Sequence, residues 1–482
     1  MTLTLSALDL GLVAIFIAAI LGLGFSARLR EMTAFQLLTA GRSLTLPAFV
    51  VTLVCTWYGG ILGVAESTSF YGYGAWLMIG VPYYVFGVVY ALVLAPKVRA
   101  AEQISLPERL ERAFDRRMGL TGASLLLLLA IPAAHALMLG VLLEAVTGWP
   151  KLLTIPLATL VGSLFLYKGG LLADVRASAL AFLMMYVGFG VMLWACFRQS
   201  PPWEAWPRDL PANLRDATGG QGPLAVLTFF ILGMWTLIDP AFHQRVASTA
   251  TPEVGRKGVL TAVGFWVLFD LLTISISLYA LAWLKNPPSD PLLLFPAFGQ
   301  QMLPEGLRAV FLCGMVGTIL SAMVGYLLVS GGTIGREIVS RIRPDADETR
   351  WSRAGIALAT VTAILIALSI NSVVTLWYSW SGAVIGALVL PVLLAYGVFP
   401  RWQPASGTVF VTTLLAALVS GGLLIYGLVT ANPYLMVTLP AALGGGQVGV
   451  GTLLPGLVVS VLGLSFGPRS RHNTQHGRTA PA

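Results

Sequence analysis

Residues 52–74 read TLVCTWYGGILGVAESTSFYGYG. The stretch is apolar enough to be buried, yet it holds a Gly59-Gly60 pair, the carboxylate of Glu66 and the hydroxyls of Ser67, Thr68 and Ser69. A helix opened at a Gly-Gly pair leaves backbone groups unpaired, and in hydrocarbon such a polar span is tolerated only where it lines a cavity or site. A second stretch of this kind, ILGMWTLIDPAFHQR at 231–245, has Gly233 in its middle and Asp239-Pro240 near its end. Aromatic residues sit at these breaks and at mid-depth of a later apolar segment. Trp57, Tyr58, Glu66, Trp235 and Tyr326 are therefore candidates to surround a solute. Asp239, Asp270 and His135 are candidates for coupling or gating, because ionisable groups within apolar segments are functional by default.

Each residue also has a plainer reading. Glu66 lies six residues past the break, roughly 9 Å along a helix, and could sit at the outer interface. His135 and Glu144 are nine apart and share no tight face. Asp270, followed by Thr273, Ser275 and Ser277, could pair locally, and Asp239 could simply break its helix. Trp377, Tyr378 and Trp380 read as lipid-belt aromatics. The arginines at 109, 112, 116 and 117 read as topology signals.

These groups need elements that can hold them inside a membrane. The chain is 57% hydrophobic and 10% charged, with mean hydropathy +0.82. A soluble domain carries about 25% charged residues, so a water-soluble globule is excluded. Cys55, Cys196 and Cys313 all lie in apolar segments, which argues against a disulfide framework. In hydrocarbon each unpaired backbone group costs several kcal/mol, so polar, breakable spans are tolerated only where they line a cavity. Many secondary transporters build their sites from such broken helices.

Apolar stretches of about 17 residues or more predict thirteen spans: 7–27, 46–71, 75–96, 119–145, 151–168, 172–197, 223–243, 257–285, 307–337, 354–371, 374–398, 406–429 and 447–466. The first has no basic residue before it and reads as a retained span with its N-terminus outside, not a cleaved signal. Only Lys151, Arg198, Arg208, Arg215, Lys285 and Arg308 of the 29 basic residues then face outward. That asymmetry puts the C-terminus in the cytoplasm of a multi-pass protein of the cell (inner) membrane. The net charge of +8 thus reports topology, not nucleic-acid binding. Trp203 and Trp206, in the longest outer loop, suit a cap at the membrane interface.

The two broken helices lie five spans apart. Five is odd, so two five-span units in series have opposite orientation, an inverted repeat. The expected organisation is an extra span and loop (1–45), a first repeat (46–198), an outer loop (199–222), a second repeat (223–400), peripheral spans (401–466) and a disordered cytoplasmic tail (467–482).

Several motifs in order resemble the sodium/solute symporter family. AGRSL at Ala40–Leu44 precedes the second span, and TWYGG at Thr56–Gly60 falls in the first break. SLPERLERAF at Ser105–Phe114, the Gly169-Gly170 pair, Asp239-Pro240 through Gln244-Arg245 and GTILSAMVGYLLVSGGTIGREI at Gly317–Ile338 follow. The resemblance covers most of 35–340. It implies an all-α membrane protein with a LeuT-type 5+5 inverted repeat and cation-coupled symport of a small organic solute. It also implies a sodium site made by the backbone carbonyls of Cys55, Tyr58 and Thr318 and the hydroxyl of Ser321. The midpoints of spans 46–71 and 307–337, at Tyr58–Gly59 and Ala322, place both halves at one depth. Four positions depart from the family pattern. The usual second hydroxyl is Ala322, the acid usual after the glycine pair is Ser178, and Ile61 and Leu62 replace small polar residues.

No P-loop, HExxH or metal cluster is present in the sequence, so neither an enzyme nor an ATP-driven pump is expected, and no organic cofactor. The expected partners are a small-molecule solute and membrane lipid, with no nucleic acid. Two alternatives stay open. One is proton-coupled or uncoupled transport on the same scaffold. The other is a transporter-like membrane sensor, although no signalling domain is seen within the 482 residues.

Overall fold

The computed structural model describes residues 2–432, 435–438 and 447–469, with backbone only at 378–380, 438 and 447–448. Thirteen apolar helices run through it: α1 Ala7–Ser26, α2 Leu46–Tyr71, α3 Trp76–Ala100, α4 Arg116–Thr147, α5 Lys151–Ser163, α6 Leu166–Gln199, α7 Pro223–Ala247, α8 Pro252–Trp283, α9 Leu307–Ile342, α10 Glu348–Ser369, α11 Gly382–Ala395, α12 Ser406–Val429 and α13 Leu453–Phe466. Ten are long and apolar enough to cross a membrane; α5, α11 and α13 are shorter. The thirteen expected crossings are thus matched in length by ten. α5 starts after Pro150 and ends at Ser163. α11 is shortened because the helical segment before it, Leu376–Ser381, is a π-turn.

Local sequence explains the other departures. The expected span 447–466 begins only at Leu453, because Gln447–Gly449 pairs with Met436–Thr438 as an antiparallel hairpin. α6 starts earlier than expected and kinks at Gly170, whose φ of +50° is open to glycine. α4 carries a break that the apolar pattern hid, at Ile131-Pro132, between Arg116–Ala130 and Ala133–Thr147. The proline has no amide proton for the ladder. The Gly-rich stretch 431–450 lies partly, and the expected tail from residue 470 onward, outside the described residues.

α6 packs along α9, and α1 lies over both. Ser6 and Asp9 form a capping box at the start of α1. Asp9 also ties that end to α9, accepting from Gly306 N at 2.8 Å and pairing with Arg308 at 3.2 Å. α11, α12 and α13 pack together at the other side. The loop between α6 and α7 holds a short helix, Pro202–Asp209. It covers the ends of α2 and α8, where Leu210 and Leu214 join Val64, Ile274 and Leu278 in one apolar cluster. Trp206 packs on Tyr73 and Tyr279, while Trp203 stays exposed. Asp209 accepts from Trp283 Nε1 at 2.9 Å, and its pairing with Arg208 holds its carboxyl down at about 2.

The SLPERLERAF segment forms a helix at Leu106–Ala113, N-capped by Ser105. Its arginines do more than mark topology. Arg109 donates from Nε to Ala395 O at 2.8 Å and lies over the Tyr396 ring. Glu108 joins Arg336 of α9 at 3.0 Å. Burial pushes the Glu108 carboxyl up, but the Arg336 guanidinium beside it wins and holds it below its ordinary value. Ser105 also donates to Glu337 at 2.5 Å. One ionic cluster therefore ties the segment to the C-terminal end of α9.

Candidate solute and cation site

The irregular stretches of five helical segments meet at one cavity of about 130 Å³. α2 tightens into a 3-10 turn at Tyr58–Gly60 and lends Thr56, Trp57, Tyr58, Gly60 and Val64. α4 lends residues 128, 129 and 131–135 around its break, and α7 lends Trp235 just beyond Gly233. The π-turns at Trp76–Gly80 and Leu376–Ser381 supply Ile79, Leu376, Trp377 and Ser381. Tyr83 of α3 and the regular helices α8, α9 and α10 complete the wall with Asp270, Tyr326 and Ile366. Irregular backbone at membrane depth belongs where it lines a cavity, and here that is where much of it gathers.

Of the expected solute residues, Trp57, Tyr58, Trp235 and Tyr326 come together on this lining. The Trp57 ring is held by Tyr83, Phe242 and Trp266 at 4.8–5.3 Å. Tyr326 lies 5.4 Å from the His135 ring. Glu66 is not on the lining. It is buried, and its carboxylate accepts from Ser372 Oγ at 2.6 Å and from the amides of Val373 and Val374, both at 3.1 Å. It thus caps the start of the helical segment before α11, the place where a carboxylate is favoured. That use of both oxygens is the physical reason it does not face the solute. Trp377, assigned above to the lipid belt, instead lies on the cavity wall against Gly60 and Gly63. Two glycines one turn apart leave a slot for a ring, and that spacing was the readable signal.

The three coupling candidates occupy different places. Asp239 is fully buried beneath the lining. One oxygen accepts from Trp235 Nε1 at 2.9 Å and Tyr326 OH at 2.7 Å, and the other from Phe242 N at 2.9 Å. It caps the last turns of α7 and orients two aromatic walls. Asp270 lines the cavity and accepts the Tyr84 hydroxyl, which in turn accepts from Trp76 Nε1 at 3.1 Å. His135 lines it too, and its buried Nδ1 has no hydrogen-bond partner among the described residues.

At the expected cation position, α2 meets α9 closely: a methyl on Gly59 would lie 2.0 Å from Ala322 Cβ. Ser321 Oγ is 2.7 Å from Ser178 Oγ, and Ser178 reaches Asp174 at 3.3 Å. Asp174 also accepts from Thr52 at 3.2 Å and pairs with Arg245 at 2.7 Å, both charges fully buried. The acid usual at position 178 is thus replaced by one a turn earlier, joined to Ser321 through the Ser178 hydroxyl. The i, i+4 spacing of Asp174 and Ser178 carried that signal. The expected donors, the Ser321 hydroxyl with the carbonyls of Cys55, Tyr58 and Thr318, are all oxygens, the hard ligands that suit a cation such as sodium. Removing one member of the Asp174–Arg245 pair leaves a buried charge alone. Arg245→Met is expected to lower stability by about 3–5 kcal/mol, read as a drop in melting temperature of the detergent-solubilised protein.

Comparison with known proteins agrees with this architecture. The profile of the Sodium:solute symporter family matches residues 37–414. Sodium/glucose cotransporter 4 of Danio rerio is 23% identical over 424 residues, covering 76% of this chain and 63% of its own length. High-affinity choline transporter 1 of Drosophila melanogaster is 23% identical over 432 residues, covering 83% and 68%. The chain thus spans about two-thirds of the length of these relatives. Among solved structures, a substrate-bound, outward-open Na+-coupled sialic acid symporter superposes with a TM-score of 0.73 at 14% identity, over 96% of this chain and 99% of that one. A nucleobase–cation symporter superposes with a TM-score of 0.54, also at 14% identity, over 89% and 92%. At such identity the likeness is one of fold, the LeuT type. On the match over most of its length, the chain belongs to the sodium:solute symporter family.

Proposed function

We propose that the protein is a secondary active transporter that moves sodium and a small organic solute together by alternating access. Tyr58 supports the reading, because it would serve both sites. Its side chain lines the cavity, and its carbonyl is one of the expected sodium ligands. Sodium bound by Cys55, Tyr58, Thr318 and Ser321 would join α2 to α9 and so fix the wall formed by Thr56–Gly60. Solute affinity and sodium affinity would then rise together, as linkage requires. The relatives that carry glucose, choline or sialic acid support a small-molecule cargo. The two five-span units, 46–198 and 223–400, would be the halves that rock around this point.

A thermal-shift screen of small metabolites, each with and without sodium, tests the reading. A true solute at 100 times its dissociation constant should stabilise the protein by about 2.7 kcal/mol, and only with sodium present. A solute that binds equally well without sodium would reject coupling.

The proposed orientation in the cell membrane has the N-terminus outside and the C-terminus in the cytoplasm. A cysteine placed by Arg350→Cys should be labelled by an impermeant maleimide only from the cytoplasmic face. Labelling from outside would overturn the topology.

A further inference from the structure

Buried carboxylates in the described structure are matched one by one. Asp9 pairs with Arg308, Asp174 with Arg245, and Glu337 with Arg336. Glu66 and Asp239 each cap a helix start. Asp270 is the exception. It is buried and lines the cavity, it accepts from the Tyr84 hydroxyl, and no Arg, Lys or His pairs with it among the described residues. A buried carboxylate without a cation is costly, and inside a membrane it marks a ligand or ion path.

Its surroundings suit one kind of cation. Six aromatic side chains share the lining with it: Trp57, Tyr58, Tyr83, Trp235, Tyr326 and Trp377. Ring faces attract organic cations, quaternary ammonium above all. Among the described residues, no Arg or Lys lies on the lining. Two nearby helix starts that might have taken a carboxylate from the solute, at Pro240 and Val373, are already capped by Asp239 and Glu66. The cavity volume of about 130 Å³ suits a compact solute.

We propose that the transported solute carries a positively charged nitrogen, protonated or quaternary, and that Asp270 is its counter-ion within the aromatic wall. This rests on the reading of the cavity as the solute site.

The test uses the full chain in detergent and, in parallel, in proteoliposomes. The binding probes are choline, glycine betaine and tetramethylammonium, set against 3,3-dimethylbutan-1-ol (the uncharged isostere of choline), glucose and lactate. At least one ammonium probe should raise the melting temperature, and the uncharged isostere should bind at least tenfold more weakly. Asp270→Asn should weaken ammonium binding at least tenfold, a loss of 1.4 kcal/mol, while Asp270→Glu keeps most of it. Ligand-free melting temperatures show whether the variants fold, and the isostere comparison needs no variant at all. The proposal falls if no ammonium probe binds, if the isostere binds as well as choline, or if Asp270→Asn binds ammonium probes normally. It also falls if Asp270→Asn loses sodium activation for a neutral solute, since Asp270 would then serve the coupling ion. Sodium-driven uptake of a neutral or anionic solute would reject this inference while leaving symport intact. Ammonium binding that depends on Asp270 but ignores sodium would do the reverse.

Discussion

Gly59→Ala is expected to abolish sodium-dependent uptake. The added methyl would lie 2.0 Å from Ala322 Cβ and 2.7 Å from the His135 ring. Carbon atoms cannot approach so closely, so α2 must part from α9. Overpacking of this kind costs about 1–3 kcal/mol, and the separation would occur where the expected sodium ligands of the two helices meet. Uptake should fall more than tenfold, with a lowered melting temperature. Because Ala322 is the nearest obstacle, Gly59→Ala combined with Ala322→Gly should recover part of both. Full sodium-dependent uptake by the single variant would show that close approach of α2 and α9 plays no part in transport.

The second large effect concerns Ser321. Its hydroxyl is the one side-chain oxygen in the expected sodium cage, because Ala322 beside it offers none. Ser321→Ala should remove sodium activation altogether. The same change also removes one partner of the Ser178 hydroxyl, now 2.7 Å away, which keeps its bond to Asp174, so Ser178→Ala serves as the control for a merely structural loss. Ala322→Ser restores a hard ligand. Each 1.4 kcal/mol of added ligand energy tightens binding tenfold, so the sodium concentration for half-maximal uptake should fall. Uptake indifferent to sodium in wild type and in both Ser321→Ala and Ala322→Ser, but lost when the proton gradient collapses, would reject the sodium cage. Coupling would then pass to His135 or Asp270, the titratable groups that line the cavity.

Much of this site was legible in the sequence because backbone breaks announce themselves. Gly59-Gly60 and Gly233 marked two of the converging irregular segments. The equal depth of Tyr58–Gly59 and Ala322 anticipated the contact between α2 and α9. The break in α4 was equally written, as Pro132 within an apolar run, but the run's hydropathy concealed it. What sequence could not supply was the identity of the partner across the bundle. A carboxylate such as Glu66 reads alike whether it faces a solute or caps another helix 306 residues away. Trp377 reads alike in lipid or in a glycine slot. Asp174 reads as an ordinary acid near a span end until its i, i+4 spacing to Ser178 is considered, which puts both on one helix face.

The claim that sodium and solute move together through one site is tested most directly by sodium flux. Proteoliposomes holding the full chain, with the membrane potential clamped, would be given radioactive sodium outside, with and without a solute found by the thermal screen. The account predicts that solute accelerates sodium uptake and that Ser321→Ala removes the acceleration while the protein still folds. Solute accumulation with no accompanying sodium movement would contradict it.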